Sequence, residues 1–107
     1  MGQTPVKNPT YTAASGVTVH GASYIRIGHI VILSIQISLP SALNGSTLVT
    51  FSNLPTPLRS DTFFTVSNGD KSRCLDLSSE KILKSAGDIT NIVWVSGTVI
   101  YATNELI

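Results

Sequence analysis

Charge, cysteine and long hydrophobic segments are all scarce in this chain of 107 residues. Charged residues make up 12% of it, about half of the roughly 25% usual in globular proteins, and the formal net charge is +1. Because no basic patch is evident in the sequence, we do not expect a nucleic-acid partner. No apolar segment approaches the roughly 20 residues that span a bilayer, so we expect no membrane insertion.

The single cysteine, Cys74, excludes a disulfide within the chain. Cys74 with His20 and His29 lacks the Cys-x-x-Cys spacing of structural zinc, and no loop has the dense carboxylates of a calcium site. We therefore predict no metal and no cofactor. We expect Cys74 itself to be a small buried side chain.

Groups suited to catalysis are also few. His20 and His29 lie on separate predicted strands without a neighbouring acid, and the sequence has no Gly-x-Ser-x-Gly nucleophile motif. The carboxylates that would form a glycosidase pair lie in or beside polar turns, where solvated carboxylates are common; they are Asp61, Asp70, Asp76, Glu80 and Asp88. We predict that the protein is not an enzyme.

What the chain does contain is typical of a β protein. β-branched residues dominate from Val17 onward, and Gly, Pro and Asn interrupt them about every ten residues. Residues 1–15, rich in Pro, Thr and Ser, predict a linker or extended N-terminal arm, followed by one domain over residues 16–107. The predicted strands are 17–20, 23–27, 29–39, 46–51, 62–67, 73–77, 81–84, 89–96 and 98–103. They indicate an all-β, antiparallel two-sheet β-sandwich or jelly roll.

Three turn signals divide these strands. Asn44-Gly45 and Asn68-Gly69 have the residue types of β-hairpin turns, and Gly28 predicts either a tight turn or a bulge.

The longest predicted strand, His29 to Leu39, has two different faces. One face is apolar throughout and should face the core; it holds Val31, Leu33, Ile35, Ile37 and Leu39. The other begins with Ile30 and Ile32 and continues with Ser34, Gln36 and Ser38. We predict that Ile30 and Ile32 are covered by a second layer of the chain or by a neighbouring subunit. The adjacent Phe63 and Phe64 also require one ring to point away from the core.

Three segments carry a resemblance to a known family. They are Gly16 to Leu39, Leu54-Pro-Thr-Pro57 and Gly97-Thr-Val-Ile-Tyr-Ala-Thr103. Their order resembles the C-terminal receptor-binding head domains of phage tail fibre and baseplate proteins. The resemblance implies a jelly-roll head that forms a homotrimer in the virion, at the tail tip or baseplate, and binds bacterial cell-surface polysaccharide. It also implies that the N-terminal arm joins the head to other tail or baseplate proteins.

Candidate ligand residues come from one aromatic side chain and two polar loops. Trp94, the only tryptophan, lies in an apolar strand, where it either packs in the core or contacts a saccharide. The loop candidates form either solvated turns or a recognition surface; they are Arg59, Asp61, Asn68, Asp70, Lys71 and Arg73. Two alternatives to a saccharide-binding head stay open: a structural trimerisation module of a virion fibre, and a carbohydrate-binding module of a secreted protein.

Overall fold

The fold consists of β-strands and their connections. The computed structural model describes residues 6–39, 47–69, 71–86 and 94–105, and these ranges contain no helix. The strands are β1 (Tyr11–Ala13), β2 (Thr18–Ile27), β3 (Ile30–Ser38), β4 (Thr47–Phe51), β5 (Asp61–Ser67), β6 (Ser72–Ser78), β7 (Ile82–Ser85) and β8 (Trp94–Ala102). The predicted all-β class is confirmed.

All eight strands belong to one sheet, in the order β1-β4-β7-β6-β5-β8-β3-β2. Each pairing of neighbouring strands is antiparallel. The sheet curves into a nearly closed, barrel-like form, so its inward face makes one core. The predicted division into two sheets is therefore not confirmed.

The N-terminal segment links the two edges of this sheet. β1 pairs with β4 at one edge, while Lys7 pairs with Tyr24 of β2 at the other edge. The two backbone N–O distances between Lys7 and Tyr24 are 2.9 and 2.8 Å. Pairing of this kind satisfies N–H and C=O groups that an open sheet edge would expose. The segment predicted as a linker thus contributes to the sheet from residue 7 onward.

Alternation along the strands separates the core from the surface. In β3 and the residue after it, the five side chains predicted to face the core are each 4% exposed or less; they are Val31, Leu33, Ile35, Ile37 and Leu39. Val95, Val99 and Tyr101 of β8 are buried beside them. Phe64 packs against this core, whereas Phe63 is 64% exposed, which confirms that the two rings point in opposite directions.

Two predicted turns are confirmed, and one predicted hairpin is wrong. Gly28 has a φ of 60° at the first position of the two-residue turn between β2 and β3, as a type II′ turn requires. Asn68 begins the β5–β6 hairpin loop, where its N–H donates to the Lys71 carbonyl at 3.1 Å. Asn44-Gly45 lies outside the described residues, but the strands on either side of it do not pair. Both edges of β3 are already occupied, by β2 and β8.

Two predicted breaks between strands are also wrong. β2 is continuous through a bulge between Val19 and Gly21, and β8 is continuous through Gly97. A Cβ atom on Gly97 would lie 2.7 Å from Val66 Cγ1 and 2.9 Å from the Thr65 carbonyl oxygen. Gly97 therefore allows β8 to approach β5 closely instead of forming a turn. The predicted strand residues 89–93 lie outside the described residues.

Candidate functional site

A shallow groove crosses the outer face of β2, β3 and β8 and has a volume of about 510 Å³. This size lies within the roughly 300–1,000 Å³ range of small-molecule sites. We call it the polar groove, because its polar side chains are all uncharged: Asn8, Ser23, Ser34, Gln36, Ser96 and Thr98. Hydroxyl and amide groups of this kind both donate and accept hydrogen bonds.

Strand register assembles the polar groove from distant parts of the sequence. Two rows of residues cross the three strands: Ser23, Ser34 and Thr98 form one, and Gly21, Gln36 and Ser96 form the other. Neighbouring strands are about 4.8 Å apart, so each row extends roughly 10 Å across the sheet. The second row continues onto β5, because Ser67 pairs with Ser96. This composite site was missed by the sequence predictions, which considered each strand separately.

Much of the hydrogen-bonding capacity in the polar groove is free. Ser34 Oγ lies 3.2 Å from Thr98 Oγ1, so these two hydroxyls bond to each other. The side chains of Ser23, Gln36 and Ser96 make no hydrogen bond to any other residue within the described ranges. Their donors and acceptors therefore face solvent and are open to a ligand.

Trp94 borders the polar groove at the position next to Ser96 on the outer face of β8. Its side chain is 44% exposed, whereas the following residue, Val95, is fully buried. Trp94 pairs in register with Ser38, whose Oγ lies 2.5 Å from His20 Nε2. Of the two alternatives for Trp94, packing in the core is therefore wrong. An outward tryptophan offers a flat apolar face beside a polar surface.

An apolar patch adjoins the opposite end of the polar groove on the same three strands. We define it as Ile25, Ile27, Ile30, Ile32 and Ile100, of which Ile27, Ile30 and Ile100 are 58%, 44% and 63% exposed. Ile25, Ile32 and Ile100 are cross-strand neighbours. Contiguous exposed apolar surface commonly marks an interaction site. Ile30 and Ile32 were predicted from the sequence, whereas Ile100, which lies far away in the chain, was not.

The predicted loop candidates do not form one site. Arg59 and Asp61 lie at the start of β5, whereas Asn68 and Lys71 lie beyond its end. Because a strand rises about 3.3 Å per residue, the two ends of β5 are roughly 20 Å apart. Only the Asn68 end is near Trp94, since Ser67 pairs with Ser96.

The loop at the Trp94 end is held by local hydrogen bonds. Asn68 Oδ1 accepts from the Lys71 backbone N–H at 2.8 Å, and Arg73 Nη1 donates to the Ser72 carbonyl at 2.7 Å. Asp70 lies outside the described residues. The loop lies beyond Ser67, and none of its residues lines the groove.

Asp76 is not the solvated turn carboxylate that the sequence suggested, since it lies in β6 and is 7% exposed. Burial, with a side-chain hydrogen bond to Asp61 and the charge of that residue, raises the pKa of Asp76; a hydrogen bond from the Thr62 N–H and the charge of Lys84 oppose the rise. Retaining glycosidases hold their two carboxyl groups about 5 Å apart with sugar between them. With only 7% of its surface exposed, Asp76 gives a sugar no such access.

Cys74 and the possible metal ligands form no cluster of three or more in the described part of the chain. Cys74 is exposed on the outer face of β6, so its predicted burial is wrong; it alternates with the inward Leu75. In the described ranges, His, Cys, Asp and Glu side chains form no group of three or more that could hold a metal ion. The same part of the chain has no helix with the length and apolar character to cross a membrane.

The fold and the groove together define a small all-β domain with an outward-facing polar surface. A similar fold occurs in the crystal structure of the receptor binding protein (gp15) of Listeria phage PSA, with a TM-score of 0.69 and 21% sequence identity. The similarity covers 95% of this chain and 67% of that chain. No family model and no curated protein matches the sequence. At this identity the likeness establishes a shared fold.

Proposed function

We propose that this domain is the host-recognition head of a phage tail fibre or baseplate protein and that it binds bacterial surface saccharide as a homotrimer without catalysis. The observation that carries the proposal is the fold shared with a phage receptor binding protein over 95% of the chain. The resemblance of three segments of the sequence to phage head domains supports the same conclusion. The domain would then act outside the cell, at the tail tip or baseplate of a virion.

The outer surface supports a saccharide as the ligand. The polar groove offers hydroxyl and amide groups without charged side chains among its lining residues. Sugar hydroxyls bond to such groups, and an exposed aromatic ring packs against the apolar face of a sugar ring. Asn68, Lys71 and Arg73 would make a further contact beyond the Trp94 end, outside the groove lining. Arg59 and Asp61, at the far end of β5, would need a separate contact.

The apolar patch supports assembly. Its exposed isoleucines lie together on the outer sheet face, and burial of apolar surface stabilises association by roughly 25 cal/mol per Å² before the costs of binding. In the proposed trimer this patch meets neighbouring copies of the chain. The N-terminal arm would then lead to other tail or baseplate proteins.

Adsorption to whole bacteria tests the proposed function. A fluorescent fusion of the domain is incubated with cells of a panel of strains that includes Listeria. We expect saturable binding to some strains, and we expect mild periodate oxidation of the cells, which cleaves sugar diols, to abolish it. The absence of saturable binding to every strain would refute host recognition.

A purely structural trimerisation module is a second candidate, and the apolar patch favours it. Such a module would form trimers and bind no cells. Ile32→Asp places a carboxylate in the patch and should weaken association at least about tenfold, measured by sedimentation at micromolar concentration. Thr50→Asp adds the same charge at an exposed position of β4, outside the patch, and serves as the control. A wild-type monomer would contradict both trimeric functions and favour a carbohydrate-binding module of a secreted protein.

A further inference from the structure

We infer that the polar groove, with Trp94 at its end, is the site of saccharide contact and that its ligand is an uncharged oligosaccharide lying across β2, β3 and β8. This inference rests on the proposed function and adds a location and a ligand class to it. It depends on the composite surface that strand register creates.

The chemistry of the lining residues selects an uncharged ligand. Ser23, Gln36 and Ser96 present unbonded hydroxyl and amide groups, and the groove lining includes no charged side chain. An anionic or cationic ligand would lose hydration there without gaining an opposite charge in the groove. A neutral sugar exchanges its bonds to water for bonds of similar strength to these side chains.

Trp94 supplies the apolar contact that polar groups alone do not give. Tryptophan is highly buried on average, yet this side chain is 44% exposed and faces outward beside Ser96. A sugar ring stacked on the indole would bury its C–H face while its hydroxyls reach the groove. The free donors of Gln36 lie one strand away, opposite Ser96.

Gly21 keeps the second polar row open. A Cβ atom built on Gly21 has no atom within 4 Å, and the φ of this residue is outside the left-handed region that disfavours side chains. A larger residue is therefore compatible with the backbone and would occupy the groove opposite Gln36. This property gives a variant that blocks the site without disturbing the core.

The test uses polysaccharide released from a strain that binds the fusion protein, separated by anion exchange into uncharged and anionic fractions. Trp94 is the only tryptophan, so its fluorescence reports contact at the groove directly. We expect the uncharged fraction to change this fluorescence saturably and to compete with cell binding. Binding of the anionic fraction alone would refute the assigned ligand class.

Two groove variants test the location. Gly21→Tyr should weaken cell binding at least about tenfold, and Gln36→Ala about threefold to tenfold, with thermal unfolding close to wild type. Thr50→Tyr, at an exposed position of β4, is the matched control and should bind normally. If Gly21→Tyr fails to fold, Gln36→Ala and Ser23→Ala decide the question.

The outcomes distinguish host recognition by the domain from the location of its saccharide site. Wild-type binding with normal binding by the folded groove variants would refute the location and leave host recognition intact. If the wild-type domain binds no strain, host recognition fails and the assigned site fails with it.

Discussion

The polar groove and the apolar patch lie side by side on the same three strands, yet they have opposite surface chemistry. Along β3 the outward residues change from Ile32 to Ser34, while the inward Leu33 and Ile35 stay buried on both sides of the change. Since inward residues hold the sheet together, outward residues are free to specify contacts. One scaffold can therefore carry two different interaction surfaces.

The two regions also differ in the source of the binding free energy that a partner would provide. The isoleucines of the apolar patch gain by exclusion of water, which any complementary apolar surface provides. The groups of the polar groove gain only when each donor and acceptor finds a partner, which makes that region selective. The patch therefore suits the assembly that we propose, and the groove suits the proposed recognition.

The largest expected effect comes from the core that both regions share. Leu33, fully buried, lies beneath the boundary between them, and Leu33→Ala should lower the free energy of unfolding by about 2–5 kcal/mol. Ser34→Ala, on the outer face one residue away, should change it by less than about 0.5 kcal/mol. Chemical denaturation measures both. Equal losses in the two variants would contradict the division between inner scaffold and outer surface.

A second prediction compares the two glycines that line the polar groove. A Cβ atom would meet close neighbours at Gly97 but none at Gly21. Gly97→Ala should destabilise the domain by about 1–3 kcal/mol, because the new Cβ atom meets Val66 and the backbone of Thr65. Gly21→Ala should have little effect, since its Cβ atom has no neighbour within 4 Å. Thermal unfolding of the two variants provides the comparison. A harmless Gly97→Ala would show that close approach of β5 and β8 does not need glycine.

A third prediction addresses the charged part of the outer face, on β5 and β6. The raised pKa of Asp76 means that ionisation lowers stability at neutral pH, and stability from this group returns as pH falls toward the ordinary value of 3.8. Asp76→Asn should raise the free energy of unfolding at pH 7 by about 0.2–1 kcal/mol, since it removes a carboxylate that burial and the neighbouring charge of Asp61 disfavour. Its advantage should shrink on acidification. A less stable variant at pH 7 would contradict this balance.

Glu105 provides an internal contrast for the same pH titration. Hydrogen bonds from Thr56 lower the pKa of Glu105, and its carboxylate accepts from the Thr56 N–H at 2.6 Å. Stability from this group is present above its ordinary pKa and is lost as pH falls through the lowered value. Glu105 contributes equally to wild type and Asp76→Asn. The difference between their free energies of unfolding at each pH therefore reports the contribution of Asp76 alone.

The smallest expected change in stability comes from moving the boundary between the polar groove and the apolar patch. Ser34→Val with Thr98→Val removes both partners of one hydrogen bond and extends the apolar patch by a row. Replacing both partners is nearly neutral for folding, so we expect a change below about 0.5 kcal/mol. Self-association should strengthen and saccharide binding should weaken, as sedimentation and cell adsorption would measure. Stronger saccharide binding would contradict the assignment of the groove.

Local patterns predicted the strands better than they predicted how strands combine. The alternation in β3 correctly identified its buried face, since side-chain direction follows from the strand itself. The Asn44-Gly45 signal led to a wrong hairpin because turn chemistry carries no information about which strands occupy the edges of β3. Gly97 led to a wrong prediction of a break between two strands, because the sequence does not show that β5 passes close beside it.

The candidate site was predictable only in part, for the same reason. Trp94 and Ile32 stood out as single residues in apolar strands, but their neighbours across the sheet come from other parts of the chain. Gly21, Gln36 and Ser96 become one row only when the register is known. Uncharged Ser and Gln also give no local signal, since such residues are common on any surface.

The bridge between Lys7 and Tyr24 has a mechanical consequence. If the domain is a head attached through its N-terminal arm, a pulling force would act on that arm. A saccharide bound in the polar groove would resist this force. The path between them is short, because the residue after Lys7 is Asn8, which lines the groove. Two backbone hydrogen bonds would take this load before the β1–β4 ladder does. The strength of adhesion under flow would then depend on this bridge as well as on the affinity for sugar.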